Sequence, residues 1–378
     1  MAWLGMVAAV LLIGIMLIDA FEAMILPRRI RHGYRLAAMY YRSAWGLWSA
    51  FGRLLPAGPW RYGFLGIFGP LSLLGLLAVW ATGLIAGFAL LYWSLGSLPG
   101  AKDNGFLTYL YFSGTTFFTL GYGDLVPTAV PGRALAVIEA GIGFGFLAVT
   151  ISYLPLLHQA FAEREHIISL LDARAGSPPS AGELLKRLAG GGNLASIGPL
   201  LAEWERWAAQ VLESHLSFPV LSFYRSQHDN QSWIGALTTI LDTTAILIAC
   251  VDFPDRQQAR LTFAMARHTA VDLGLVFRTP PRAPDSDRLP LADLARLRES
   301  LNGADWQWRD CQAVTKALTE LRGLYEPFIQ VLAERFQFEV PPFLPQKPAV
   351  DNWQTSAWMR RSPGLESLPA ATADDHFD

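Results

Sequence analysis

Three apolar stretches in the chain are long enough to cross a bilayer, for which about 20 helical residues suffice at 1.5 Å each. The first, Trp3 to Leu26, is interrupted by Asp19 and Glu22 and stops at Pro27-Arg28-Arg29. The second, Tyr62 to Trp93, is broken only by small residues and Pro70. The third, Val130 to His158, opens with Pro131 in a favourable early-helix position and runs into Glu163-Arg164-Glu165, where solvent must begin. Between the second and third lies Gly105 to Phe118, apolar but too short to span, which predicts a re-entrant helix protected by protein. Leu36 to Trp60 mixes aromatic, small and basic residues, including Tyr40, Arg42, Trp45, Trp48, Phe51 and Arg53. It reads either as a helix lying along the membrane interface or as a linker with scattered aromatics.

Beyond His158 the apolar positions become periodic and are separated by Gly/Pro/Ser-rich breaks, the pattern of a soluble helical domain. Trp233 to Cys250 stands out as strongly apolar. Asp242 near its centre favours the buried core helix of a bundle over a fourth crossing, which would place everything after it on the opposite side of the membrane. From Asp351 the composition predicts a disordered tail. The divisions are a membrane helix over 1–27, a basic aromatic interfacial segment over 28–61, a second membrane region over 62–160, a helical domain over 161–345 and a tail over 346–378.

Composition agrees with a chain partly in lipid. Of its 378 residues 52% are hydrophobic and 16% charged, against about a quarter charged in soluble domains. The net charge of −2 hides an asymmetry: Arg28, Arg29, Arg31, Arg35, Arg42, Arg53 and Arg61 fall in a region without Asp or Glu. Flanking apolar runs direct this cluster to the cytoplasmic membrane surface, with Arg28, Arg29, Arg31 and Arg35 suited to anionic lipids, and away from nucleic acid. The N-terminus is then outside and the C-terminal domain cytoplasmic. Enzyme chemistry finds little support. Cys250 and Cys311 suit core packing and share no metal spacing, His158 and His166 lack helical metal partners, and neither a phosphate loop nor a dinucleotide motif is present. Membrane helices with arginine at every third position, as in voltage sensors, are also absent.

The stretch Thr119-Leu120-Gly121-Tyr122-Gly123-Asp124-Leu125-Val126-Pro127 sits between the second and third apolar runs. A tight surface turn is its plainest reading. Its alternating glycines also permit conformations that turn successive carbonyls toward one axis. The hexapeptide resembles the potassium-channel signature Thr-Val/Ile/Leu-Gly-Tyr-Gly-Asp, and the resemblance extends over roughly residues 65 to 160. It implies an all-α membrane protein of the two-helix pore type, with an added N-terminal helix, a re-entrant pore helix and a selectivity filter, assembled as a homotetramer. The permeant ion would be K+, bound by the carbonyls of Thr119, Leu120, Gly121 and Tyr122 and the Thr119 hydroxyl, with Gly123 completing the filter and no organic cofactor. Leu120 and Tyr122 would point back against Phe117 and Phe118.

The same resemblance assigns supporting residues. Asp124 would accept a hydrogen bond from Tyr111. Thr115 stands where some relatives carry an acid, and Phe118 replaces a second threonine, which leaves room for altered selectivity. Gly143 matches the flexible glycine of the inner helix, whose gating would involve Phe144, Leu147, Ile151 and Leu154 as a constriction and Pro155 as a bend; close packing is the competing role. By its depth in a membrane helix, Glu139, one turn before Gly143, would either face the cavity and concentrate cations or sit behind the filter, accepting from Thr115 or Thr116 and open to protonation. The implied function is potassium-selective conduction, the alternative a nonselective or silent pore whose helical domain acts as sensor or scaffold.

Overall fold

The computed structural model describes residues 2–26, 36–96, 105–190, 197–228, 230–301, 307–309 and 312–345. Arg28, Arg29, Arg31, Arg35, Cys311 and the tail lie outside them. The chain divides into two units, residues 1–54 with 67–159, and residues 55–66 with 160–378.

Unit 1 contains α1 (Ala2–Met24), α2 (Leu36–Leu54), most of α3 (Pro59–Leu95), α4 (Phe106–Phe117) and the first part of α5 (Val130–Ala175). Small residues on α3 let α1 approach closely, as is common between helices in lipid. Ile13 fills the notch at Gly87 and Met16 the notch at Gly83. Lower on the same seam Asp19 is buried and accepts hydrogen bonds from Trp80 Nε1 at 2.8 Å and from the Ala37 amide at 3.0 Å. The amide of Ala37 belongs to the first turn of α2, where helical N–H groups lack intrahelical partners. Asp19 therefore satisfies the start of α2 and ties it to α1 and α3.

From that anchor α2 runs beside α3 in the opposite direction. The Tyr40 hydroxyl occupies the space a side chain at Gly75 would need, and Trp45 meets Phe68 edge-on with ring centroids 4.9 Å apart. Its other face exposes Leu47, Phe51 and Leu54 together with Arg42 and Arg53. Helix α3 has 37 residues and is about 55 Å long, well beyond a hydrocarbon core of about 30 Å.

Unit 2 comprises the first turns of α3, the last part of α5, α6 (Ala181–Gly190), α7 (Ile197–Ser217), a 3-10 turn (Pro219–Phe223), α8 (Trp233–Cys250), β1 (Val251–Asp252), α9 (Arg256–Val276), α10 (Leu291–Leu301), β2 (Gln307–Trp308), α11 (Gln312–Gly323) and α12 (Glu326–Phe336). The two short strands pair antiparallel, Val251 opposite Trp308 and Asp252 opposite Gln307, a small addition to an otherwise helical chain.

Among the described residues, four helices are long and apolar enough to cross a membrane: α1, α3, α5 and α8. Every residue of α8 except Ile248 is buried, and its surroundings are the other helices of unit 2. Its polar residues are satisfied within that packing. Thr238, Thr243 and Thr244 each donate to the carbonyl four residues back, at 2.7 Å. Asp242 receives Arg288 at 2.7 Å and the Tyr325 hydroxyl at 2.6 Å. Arg322 continues the network to Glu326 at 3.0 Å and Asp287 at 2.6 Å, and the buried Phe343 ring lies within 4.7 Å of the Arg288 guanidinium and 5.2 Å of that of Arg322. The central aspartate is thus what packs α8 into a protein core.

Unit 2 also holds the ends of the two long helices. At the start of α3, the Tyr62 hydroxyl donates to Gln231 O at 3.0 Å and Arg61 to Gln337 Oε1 at 2.8 Å. Arg225 lies 4.5 Å from the Tyr62 ring and 4.6 Å from that of Phe338, and donates to the carbonyls of Phe336 and Gln337. On α5, the buried Arg164 donates to Leu221 O at 2.9 Å and Tyr224 O at 3.0 Å, and its own carbonyl accepts from Trp207 Nε1.

His215 completes this second anchor. Its Nδ1 is 2.7 Å from Val211 O and its Nε2 3.4 Å from Arg164 Nη1, so Nδ1 carries the proton and Nε2 is left as the acceptor. Burial, reinforced by the Arg164 charge, holds the imidazole well below its ordinary range. An unfolded His215 takes up a proton near pH 6.5 while the folded one stays neutral, so its contribution to stability is complete above that pH and is lost as pH falls. Within that window the slope is about 1.4 kcal/mol per pH unit. Thermal unfolding of the full chain in detergent between pH 7.5 and 5 will show a flatter pH dependence in His215→Gln; an unchanged slope would refute this assignment.

Candidate functional site

Helix α4 begins after Gly105 and presents an apolar face to α3. Tyr109 and Phe112 pack with Phe88, Ala89 and Tyr92, and Phe117 is buried with Trp80 and Leu84. Its C-terminus is closed by backbone bonds from Phe118 N to Gly114 O and from Thr119 N to Thr116 O. The Thr115 carbonyl then reaches further along the chain, accepting the Leu120 amide at 2.8 Å and approaching the Gly121 amide at 3.4 Å. The hydroxyls of Thr115 and Thr116 are both spent on Phe112 O at 2.9 Å. Thr115 thus supports the following segment through its backbone, with its side chain turned into α4.

The segment leaving α4 turns at Phe118 and Thr119, has no regular secondary structure and is exposed from Phe118 to Asp124. Its backbone alternates: Thr119, Gly121 and Gly123 have φ of 56°, 56° and 78°. The glycines adopt this region freely, whereas a residue with a Cβ there is strained by about 1–3 kcal/mol. Thr119 is therefore the position at which the surroundings of α4 enforce an unfavourable conformation. Tyr111 donates to Asp124 Oδ2 at 3.0 Å across the outer end of the segment, and Arg133 Nε donates to Pro127 O at 3.2 Å where the chain turns into α5.

The expected inward packing of Leu120 and Tyr122 is not what a single chain has. Phe117 is turned into the α3 side of the core, and Leu120 and Tyr122 remain 54% and 68% exposed. The reason is the turn at Thr119, which directs the segment away from the protein's own helices. Phe118, also exposed, pairs edge-to-face with Phe117, their ring centroids 5.3 Å apart.

Glu139 faces neither a cavity nor Thr115 and Thr116. It is fully buried between α3, α4 and α5, where Oε2 accepts from the Tyr92 hydroxyl at 2.9 Å and Oε1 lies 2.5 Å from Ser113 Oγ. The threonine hydroxyls one turn on are already engaged with Phe112 O, which leaves Ser113 as the hydroxyl of α4 that meets Glu139. Neither Ser113 nor Tyr92 emerges from sequence reasoning. The one available signal is Ser113 itself, a hydroxyl within an apolar stretch and on the α4 face opposite Glu139.

One turn beyond Glu139, Gly143 is where α5 touches the end of α4. A Cβ there would lie 2.0 Å from Phe117 O and 2.8 Å from Phe117 C, backbone atoms that cannot step aside. Close approach accounts for this glycine, and α5 continues unbroken through Gly143 and Pro155 to Ala175. Phe144 and Ile151 are 69% and 70% exposed on α5, with Leu147 and Leu154 also on its open side. Among the described residues, no group of three or more His, Cys, Asp or Glu side chains could hold a metal ion.

Residues 75–155, from α3 through α4 and the exposed segment into α5, match the family model described as Ion channel. Protein LctB of Geobacillus stearothermophilus is 31% identical over 94 residues, covering 22% of this chain and 69% of LctB. The chain belongs to this ion-channel family. It is also similar to the protein named Uncharacterized membrane protein YdjJ of Bacillus subtilis (strain 168), at 25% identity over 241 residues, 62% of this chain and 69% of YdjJ. No solved structure matches.

Because the contact at Gly143 is with backbone, Gly143→Ala will separate α5 from α4 at a cost of about 1–3 kcal/mol, the usual range for overpacking. Gly141→Ala, where nothing lies within 4 Å, is the control. Comparing their melting in detergent tests the contact: equal effects would mean that Gly143 is not the close approach described.

Proposed function

We propose that four copies of this chain form a potassium-selective channel, with Thr119 to Gly123 as its filter and K+ as the transported ion. The observation that carries the reading is the exposed backbone of Thr119–Gly123, with positive φ at alternate residues. Alternation of left- and right-handed conformations turns successive carbonyls to one side, so four such segments around an axis offer stacked rings of oxygen dipoles. Rings of this kind replace the hydration shell of a bare cation. Thr119, Leu120, Gly121 and Tyr122 supply the carbonyls, and the Thr119 hydroxyl adds a ligand at the inner end.

Further support comes from what one chain leaves uncovered. Leu120, Tyr122, Phe144 and Ile151 are large and exposed, and neighbouring subunits would bury the first two behind the filter while the α5 residues line the ion path. The Tyr111–Asp124 bond holds the outer mouth. Arg42, Arg53 and Arg61 put the start of α3 on the cytoplasmic side under the positive-inside rule, which leaves the N-terminus outside and unit 2 in the cytoplasm. Acidic-lipid contacts at Arg28, Arg29, Arg31 and Arg35 belong to the same reading. Since α5 is one uninterrupted helix, gating at Phe144, Ile151 and Pro155 would move it as a whole from its anchor at Arg164.

Purified full-length protein in liposomes, with opposing K+ and Na+ gradients, tests the proposal. A reversal potential that follows the K+ gradient is the expected result. A nonselective current, the outcome suggested by Phe118 in place of a hydroxyl, or no current from folded protein, would overturn it. Tyr111→Phe removes one hydrogen bond and should shorten the conducting bursts in single-channel records without abolishing K+ current; unaltered bursts would remove Asp124–Tyr111 from the filter's support.

A further inference from the structure

Ser113 on α4 stands between two acceptors. Its Oγ is 2.5 Å from Glu139 Oε1 on α5 and 2.8 Å from the Ile85 carbonyl oxygen on α3. Tyr92, two turns beyond Ile85 on α3, donates to Glu139 Oε2 at 2.9 Å. Three oxygen–oxygen pairs at these distances need three protons. A serine hydroxyl has one to give, and a tyrosine one. A proton shared between two acceptors would lengthen both contacts, yet both contacts of Ser113 are within the normal range for O–H···O bonds or below it.

We propose that Glu139 supplies the third proton. It is a neutral carboxylic acid whose Oε1–H donates to Ser113 Oγ, while Ser113 donates to Ile85 O and Tyr92 to Oε2. Each oxygen pair then has one proton and no buried acceptor faces another. The environment favours this state: Glu139 is fully buried, and among the described residues no Lys, Arg or His forms an ion pair with it. A lone charge in such a place is far costlier than a hydrogen-bonded neutral acid.

The relay joins α5, α4 and α3 within one turn of the Gly143–Phe117 contact and of the Thr115 carbonyl that holds Leu120. Glu139 is thereby a positioning residue for the exposed segment and adds no charge to an ion path. Its functional consequence rests on the filter reading above; its protonation does not.

Infrared difference spectra of full-length wild type against Glu139→Gln test the proton directly. A protonated carboxyl C=O band present in wild type and lost in the variant is the expected result, and no band difference overturns the proposal. If Glu139→Gln fails to assemble, Ser113→Ala replaces it: losing the acceptor shifts that band when Glu139 is neutral, and an unshifted or absent band overturns the proposal. In liposomes Gln reproduces the neutral brace and Ala cannot, so the K+ over Na+ permeability ratio of Glu139→Gln should exceed that of Glu139→Ala by about tenfold, the scale of one strong hydrogen bond. Equal ratios in the two variants overturn the positioning role. A wild type that conducts no selective K+ current, yet shows the carboxyl band, removes the filter reading and leaves the proton assignment standing.

Discussion

A polar group taken into hydrocarbon or a protein core without a partner costs several kcal/mol, and that constraint decides where the helices of this chain stand. Asp19 lies within an apolar helix and is tolerable only because Trp80 and the free amide at the start of α2 converge on it. Glu139 is tolerable because Tyr92 and Ser113 do the same. Each carboxyl thereby fixes three elements at once: α1, α2 and α3 in the first case, α3, α4 and α5 in the second. The apolar surfaces around them fit many arrangements, whereas the hydrogen bonds fit few.

The exposed segment after α4 depends on this frame. The Thr115 carbonyl holds its backbone at Leu120 and Gly121, and its strained residue, Thr119, keeps its conformation because α4 is itself pinned at Ser113 and at Phe117. Short-range sequence preference would not place a threonine at positive φ. Packing against a glycine of another helix does, since the close approach at Gly143 allows the end of α4 no slack.

The second unit applies the same chemistry within a protein core. Arg225 and Arg164 each satisfy backbone carbonyls while lying against aromatic rings, and they do so at the first turns of α3 and along the last turns of α5. Asp242, with Arg288 and Tyr325, anchors the central helix in turn. Guanidinium groups suit this work because their several donors can meet carbonyls and carboxylates while the flat face stacks on a ring.

Much of this was legible along the chain. Hydrophobic runs of sufficient length mark α1, α3 and α5 because a helix that must span lipid has no choice of composition. The shorter run marks α4, and the glycines of Gly121-Tyr122-Gly123 mark a backbone needing unusual φ. Asp242 likewise separated a core helix from a crossing one, a reading its burial supports. What one-dimensional reasoning could not supply was partnership. Nothing near Asp19 in the sequence points to Trp80, and Glu139 looked as well suited to a cavity or to Thr115 as to Ser113. Leu120 and Tyr122 were expected to turn inward, yet one chain leaves them exposed. Length and hydropathy are summed locally, so the sequence carries them; a hydrogen bond between distant helices depends on rotation and depth, which are set only when the helices pack.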